Sequence, residues 1–238
     1  DFSWKFSLSG LDFVRPRGLG LQDLTADVKI KDQVASIGTA FQLVCSQING
    51  VVLKRPGSDS AQDPAVPVSG KIRLSLKEPD PAFELDFETR PFKGVAASQE
   101  SLKMAVENPF FFLVLKGGRD KAFGRLGFKS KRVSAVLDQN RISAPESKID
   151  ARIRAGIKGN SQGASTGAAW IDLDFDSKLF GPAFNSPKAE FEGKALEVRG
   201  SLSGRSGRPP AIKATGELIN ARFVLPESEL TFSGIHAL

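Results

Sequence analysis

The chain contains no tyrosine, and it has one histidine, one cysteine and one methionine. Each shortage closes off a class of function. The single cysteine, Cys45, makes no internal disulfide and no metal cluster. It sits in the apolar run Phe41, Leu43 and Val44, where a small buried hydrophobe is the fitting reading. So few cysteines suit an exported protein and a cytosolic one alike. The single histidine, His236, leaves little from which to build a catalytic or metal centre. Ser233 nearby suggests an acyl-transfer dyad, but a triad also needs a carboxylate behind the base and an oxyanion hole, and no motif marks either. The lack of tyrosine argues against an outer-membrane barrel, whose two interfaces carry aromatic girdles. No apolar run approaches the roughly 20 residues of a membrane-spanning helix. There is no basic-then-apolar leader with a cleavage site and no N-x-[ST] acceptor.

Other apparent sites dissolve on inspection. Asp172, Asp174 and Asp176 share one strand face and suggest loose calcium binding, but no tight acidic loop with a glycine turn accompanies them. Arginine-paired, solvent-facing aspartates are the better reading. Glu84, Asp86 and Glu88, and Glu190 with Glu192, resemble glycosidase carboxylates only in spacing; that chemistry also needs a cleft with aromatic platforms and one carboxylate of raised pKa. Gly117-Gly118-Arg119 and Arg55-Pro56-Gly57 are turns, because no G-x-x-x-x-G-K-[ST] follows a strand. The sequence therefore gives no catalytic residue, no metal site and no cofactor, and the chain is expected not to be an enzyme.

What is present is strand grammar. Ile149, Ala151, Ile153, Ala155 and Ile157 alternate with Asp150, Arg152, Arg154 and Gly156. After the polar stretch 159–167 come Ile171, Leu173 and Phe175 against Asp172, Asp174 and Asp176. Side chains on a strand alternate faces, so both segments carry one oily and one charged face. They read as a β-hairpin whose arginines meet the aspartates of the other strand and fix the register. The same grammar runs through most of the 238 residues: Phe2, Trp4, Phe6 and Leu8; Leu24 to Ile30; Phe41 to Ile48 and Val51 to Leu53 about the hairpin signal Asn49-Gly50; Val68 to Leu76; Phe83, Leu85 and Phe87. It resumes in 122–128, 132–138, 189–203, 211–218 and 221–225, and closes with Leu230 and Phe232. The parity of the apolar residues changes near Gly193-Lys194, which means a turn or a bulge.

Residues 98–107 fit either a strand (Leu102, Met104, Val106) or a short helix capped by Ser98, and the neighbouring strands favour a strand. Phe110 to Leu115 is apolar on both faces, as in a central strand covered on both sides, or as a phenylalanine patch at the edge of a groove. The expectation is one all-β domain over 1–238, with flexible loops at 54–67 and 159–167. So many half-apolar strands must curl, close or fold onto themselves. The start at Asp1-Phe2 rather than at Met, and alternation that runs to both ends, suggest a piece of a longer chain.

The net charge of +6 is concentrated in Lys116, Arg119, Lys121, Arg125, Lys129, Lys131 and Arg132, which face one acid, Asp120, in that span. A solvated face is the first reading, and an anionic membrane surface or lipid headgroup the second. No recognised nucleic-acid motif accompanies them.

Segments such as Lys148 to Gly156, Ala195 to Gly204 and Ala221 to Gly234 are rich in small residues, end in glycine, and turn at Leu-Pro or Gly-Leu. In this the chain resembles the bacterial repeating β-groove proteins, the AsmA-like, TamB and YdbH group. The likeness is one of style across most of the chain, with no invariant motif. The resemblance implies a long antiparallel sheet curled into a taco-shaped groove; the alternative is a closed barrel or sandwich acting as a binding module of the cell envelope. It implies periplasmic chains tethered to the inner membrane through a segment absent here, with neighbouring domains of the same chain. It also implies acyl chains of phospholipid held on the inner face during transport between membranes. On that reading the groove is lined by Ile72, Leu74, Leu76, Phe83, Leu85, Phe87, Phe110, Phe112, Phe128, Ile149, Ile153, Ile157, Ile171, Leu173, Phe175, Phe191, Val198, Phe223 and Phe232. The seven basic residues named above are then candidates for headgroup or membrane contact.

Overall fold

A computed structural model describes residues 2–12, 19–45, 47–48, 51–54, 64–77, 81–99, 102–158, 168–225 and 228–237. Among these there are strands and turns and no helix. In chain order the strands are β1 (Phe2–Asp12), β2 (Leu19–Lys31), β3 (Val34–Cys45), β4 (Gln47–Ile48), β5 (Val51–Lys54), β6 (Ala65–Ser75), β7 (Ala82–Thr89), β8 (Gly94–Gln99), β9 (Leu102–Glu107) and β10 (Phe110–Gly117). They continue as β11 (Lys121–Ser130), β12 (Arg132–Leu137), β13 (Asn140–Ala144), β14 (Glu146–Lys158), β15 (Ala168–Phe180), β16 (Ala183–Ser186), β17 (Ala189–Arg205), β18 (Arg208–Leu225) and β19 (Ser228–Ala237).

The strands form one antiparallel sheet that is a simple meander, bent along a line. A wide leaf is paired in the order β1, β2, β3, β6, β7, β10, β11, β14, β15, β17, β18, β19. A narrow leaf is paired in the order β4, β5, β8, β9, β12, β13, β16, β17. Strands of one leaf continue into strands of the other: β7 into β8, β9 into β10, β11 into β12, β13 into β14, β15 into β16. Ladders join β1 only to β2, and β19 only to β18. The sheet is therefore open at both edges and is not a barrel. It is curled into a groove.

Local chemistry explains the bend. The breaks between leaves fall at Arg90–Lys93, Asn108-Pro109, Lys131, Pro145 and Gly181-Pro182. Proline has no N–H for a ladder. Asn108 (φ 46°) and Gly181 (φ 54°) take the left-handed conformation at the break, as Asp23 (φ 50°) and Asn220 (φ 48°) do in β2 and β18. Asparagine, aspartate and glycine are the residues that tolerate it. The amides freed there are bonded across the crease: Asn108 N–H donates to the Lys93 carbonyl, Lys131 N–H to Glu107 and Gly181 N–H to Lys194.

The crease also buries the chain's small residues. Thr89, Ser130, Ala144, Ser147 and Ala221 are buried there, and the Ser130 and Ser147 hydroxyls bond to each other at 2.7 Å. The Thr89 hydroxyl accepts from Phe111 N–H. Among the described residues the buried apolar side chains are small: the alanines Ala26, Ala144, Ala151, Ala195 and Ala221 and the prolines Pro64, Pro109 and Pro182. The total accessible surface is 16401 Å². A compact chain of 25.6 kDa would expose roughly 10,000 Å². The apolar faces are thus not packed on each other into a closed core, which excludes the sandwich alternative as well as the barrel.

Leu102, Met104 and Val106 lie in the strand β9, as their alternation favours; β9 pairs with β8, which ends at Gln99, so 98–107 is not a single element. Lys54 ends β5, and Ala65 to Pro67 already belong to β6, so the expected loop is shorter than 54–67; its 55–63 portion and the whole of 159–167 lie outside the described residues.

Candidate functional site

Residues opposite each other in a ladder share a face. From β14 to β15 the register sets Ile149, Ala151, Ile153 and Ala155 opposite Ser177, Phe175, Leu173 and Ile171. From β15 to β17 it sets Leu173 opposite Leu202 and Ser177 opposite Val198. In the other direction Ile149 faces Phe128, Phe128 faces Phe111, Leu113 faces Phe87 and Leu85 faces Ile72. Ile37 and Val28 carry the row to Trp4. This face of the wide leaf has no charged residue at any laddered position, only Thr39, Thr89, Ser130, Ser147 and Ser177 as polar members.

In the narrow leaf the ladders likewise join Met104, Ala135, Ile142, Phe184, Phe191 and Phe223 in one uncharged row. The parity of the apolar positions shifts at the crease, as at Pro145 between Ala144 and Ser147. The shift keeps both apolar faces on one side. A methyl on Gly193 would lie 3.2 Å from Phe191 Cζ of the narrow leaf and 3.2 Å from Leu218 Cδ1 of the wide leaf. The small buried residues of the crease (Thr89, Ser130, Ser147, Ala144, Ala221) also lie on this side. The apolar face is therefore the inner face of the bend.

Its large side chains are uncovered. Phe2 is 65% exposed, Trp4 56%, Ile212 66%, Ile142 54% and Ile157 53%. Among the exposed large hydrophobics only Val52, Leu76 and Phe123 fall outside the inner-face rows. Several rings lie flat over a glycine of the next strand, where no side chain competes for the space. Phe87 covers Gly70, Phe83 covers Gly117 and Phe175 covers Gly200 on the inner face. Phe112 covers Gly127 and Trp170 covers Gly156 on the outer one. These pairs recover cross-strand packing that glycine alone would forfeit. Phe111 and Phe128 pack at 4.7 Å between centroids, and Phe191 and Phe223 at 4.8 Å.

The outer face is a lattice of ion pairs. Arg125 bonds Asp150 and Arg154 bonds Asp174, both at 2.8 Å; Arg205 bonds Asp172 at 2.9 Å and Arg199 bonds Asp176 at 3.2 Å. The three aspartates of β15 are thus arginine-paired. Lys116 pairs with Glu84 at 2.6 Å, and Lys178 with Glu197. The lysine hydrogen bond holds each of these glutamates below the usual carboxylate range, against the opposing effect of desolvation. Among the described residues no cluster of histidine, cysteine, aspartate and glutamate could hold a metal ion. Open, shallow depressions on this face are lined by charged residues, for example Lys148, Arg152, Asp174, Asp176 and Arg199.

Most of the expected groove residues stand on the inner face. Ile72, Leu74, Phe83, Leu85, Phe87, Phe128, Ile149, Ile153, Ile157, Ile171, Leu173, Phe175 and Val198 line the wide leaf, and Phe191 and Phe223 the narrow one. Phe110 and Phe112 are corrected: they stand on the outer face, opposite Lys129 and Gly127, while Phe111 faces inward. A run apolar on both faces gives no parity, so only the partner strand decides it. Nor is Phe110 to Leu115 covered on both sides, since Phe111 is 44% exposed. Leu76 lies just past the end of β6, at the rim. Phe232 pairs with Ala221, and its side chain is outside the described residues. Phe2, Trp4, Phe111, Met104, Leu137, Ile142 and Ile212 join the face without having been singled out; the alternation Phe2, Trp4 was the signal available.

The seven basic residues do not form one patch. Lys116, Arg125 and Arg132 are in ion pairs. Lys129 is on the outer face near the crease, opposite Lys148, and Lys131 is at the crease itself. Arg119 and Lys121 are at the tip of the wide leaf.

No protein-family model matches the chain, and no curated protein or solved structure is significantly similar to it.

Proposed function

We propose that this chain is a non-enzymatic lipid carrier that holds the acyl chains of phospholipid, or of another lipid, along the inner face of the groove. The single observation that supports this is the uncharged inner face, which runs across every strand of the wide leaf and leaves large apolar side chains exposed. Contiguous apolar surface on this scale, in a protein whose outer face is charged, calls for an apolar partner. Each methylene taken from water contributes roughly 0.8 kcal/mol. With no charge and few polar groups on the face, chains are accepted without selection and headgroups remain in water. That suits bulk transport of lipid between two membranes. The resemblance to the repeating β-groove proteins supports the same reading, and with it a periplasmic setting and an inner-membrane tether.

The test is to purify the protein without detergent, extract it with organic solvent and identify bound lipid by mass spectrometry. Co-purifying phospholipid, and uptake of a fluorescent fatty acid by delipidated protein, are the expected results. Protein that carries no lipid and takes up no fatty acid overturns the proposal.

A further inference from the structure

The meander puts alternate turns on the same rim. The turns of the wide leaf at 32–33, 118–120 and 206–207, with the end of β6 and the start of β7, lie along one edge, and those of the narrow leaf at 138–139 and 187–188 along the other. The two rims differ in charge. Among the described residues the wide rim carries Lys31, Lys77, Arg119, Lys121, Arg208 and the Asp172-paired Arg205 against Asp32 and Asp120, with Glu78 and Asp80 following Lys77 in the sequence, whereas the narrow rim sets Lys188 against Asp138. Apolar side chains project beside the turn at 118–120, Phe123 (61% exposed) on the outer side and Ile157 on the inner side. Trp170 stands in the same row as Lys121 and Gly156, with the Arg205 guanidinium over its ring at 5.6 Å.

We infer that the wide rim docks on an anionic phospholipid bilayer, so that chains leaving the bilayer enter the groove beside it; this rests on the lipid-carrying reading above. The charge selects an anionic partner, and the form of the edge selects a membrane. Successive strand pairs stand about 10 Å apart, two strand spacings, so the basic groups form a line rather than a pocket. Neighbouring tips are already tied to each other: Leu76 N–H donates to Gln33, Ile157 N–H to Asp120 and Ser206 N–H to Ala169. The rim therefore offers a folded partner little backbone to recognise. Interleaved cations and single apolar side chains match a headgroup layer over hydrocarbon.

The two tryptophans of the chain, Trp4 and Trp170, report on the wide leaf. Full-length protein is mixed with vesicles of pure phosphatidylcholine, or of phosphatidylcholine with one third phosphatidylglycerol, and with the same lipids brominated on the chains. The expected result is flotation with the anionic vesicles, tryptophan quenching by the brominated chains, and binding that weakens as salt is added. Arg119→Glu with Lys121→Glu should weaken binding at least about tenfold, and Phe123→Ser should remove much of the quenching. Lys188→Glu on the narrow rim should leave both unchanged. If the charge-reversal variant fails to fold, judged by its β-sheet circular dichroism, the salt titration of the unaltered protein still decides. Absence of vesicle binding, equal binding to both vesicle types, salt-insensitive binding, or equal loss in Lys188→Glu overturns the inference. Fatty-acid uptake without vesicles separates the two readings: uptake with no vesicle binding sinks the rim alone, and vesicle binding with no uptake sinks the groove.

Discussion

The two faces of this sheet are built from the same strands, yet they solve opposite problems. The outer face is charged and extensively paired: Asp150, Asp172, Asp174 and Asp176 each have an arginine on a neighbouring strand. The inner face is apolar, with Phe111 opposite Phe128 and Leu173 opposite Leu202, and Phe111 is 44% exposed. Most soluble sheets bury the apolar face on a second layer, and that burial supplies most of the stability. Here it does not, so the structure rests on continuous ladders, ring-over-glycine pairs and the small-residue crease. The contrast teaches that the inner face keeps one chemistry along the sheet while large side chains on it, such as Trp4 and Ile142, stay more than half exposed. Exposed cross-strand ion pairs contribute only up to about 1 kcal/mol each; their clearer role is to fix register, since a slip by one residue would turn charges inward.

The largest expected effect comes from making the faces alike. Leu173→Asp places a carboxylate in the middle of the inner face, between Ile153 and Leu202. Keeping a carboxylate beside bound hydrocarbon is costly, so fatty-acid uptake should fall at least about tenfold. Thr215→Asp puts the same charge on the outer face, opposite Arg199, and should leave uptake unchanged. Fluorescence titration measures both. Equal loss in the two variants would mean that the faces do not differ in function.

Gly127 and Gly200 make a subtler comparison. A methyl on Gly200 would lie 2.5 Å from the Lys213 carbonyl oxygen and 2.6 Å from Phe175 Cζ on the inner face, and one on Gly127 would collide with the Phe112 ring on the outer face. Either ring must lift, and at Gly200 the β18 backbone must shift as well, so Gly200→Ala and Gly127→Ala should each destabilise by about 1–3 kcal/mol in urea unfolding, Gly200→Ala the more. Only Gly200→Ala changes the inner surface, and only that variant should also alter uptake. Adding Phe175→Leu to Gly200→Ala should recover part of the lost stability, because the colliding ring is gone; a double-mutant cycle reads the coupling.

How far the sequence discloses this arrangement depends on parity. Ile149 to Ile157 and Ile171 to Phe175 alternate cleanly, and the register between them follows from the arginines and aspartates. Phe110 to Leu115 does not alternate, so its inward residues are undefined until Leu126, Phe128 and Phe87 are known as neighbours. The change of parity near Gly193-Lys194 is visible in the sequence as an irregularity. That it is one point of a crease through the whole sheet is not, because the crease is defined by alignment of Asn108, Pro145, Gly181 and Asn220 across strands distant in sequence. Nor does apolar alternation distinguish a face that meets a second sheet from one that meets none; that depends on how the leaves are bent.

The smallest expected effect tests the outer face alone. Lys116 holds the Glu84 carboxyl, and Lys178 the Glu197 carboxyl, below the ordinary value of 4.5. A carboxylate whose pKa is lower folded than unfolded binds fewer protons in the folded state. Its contribution is complete above pH 4.5 and is lost as the pH falls through the lowered folded value. The urea midpoint should therefore drop on acidification below pH 4.5, and Lys178→Met should make that drop shallower by removing the hydrogen bond that favours ionised Glu197. Glu84 lies on the same face but its pair is more exposed than Lys178–Glu197, so Lys116→Met should change the acid limb less. Delipidated protein isolates this effect from the inner face, which has no ionisable group at its laddered positions. An acid limb unchanged in both variants would show that these pairs set register without adding stability.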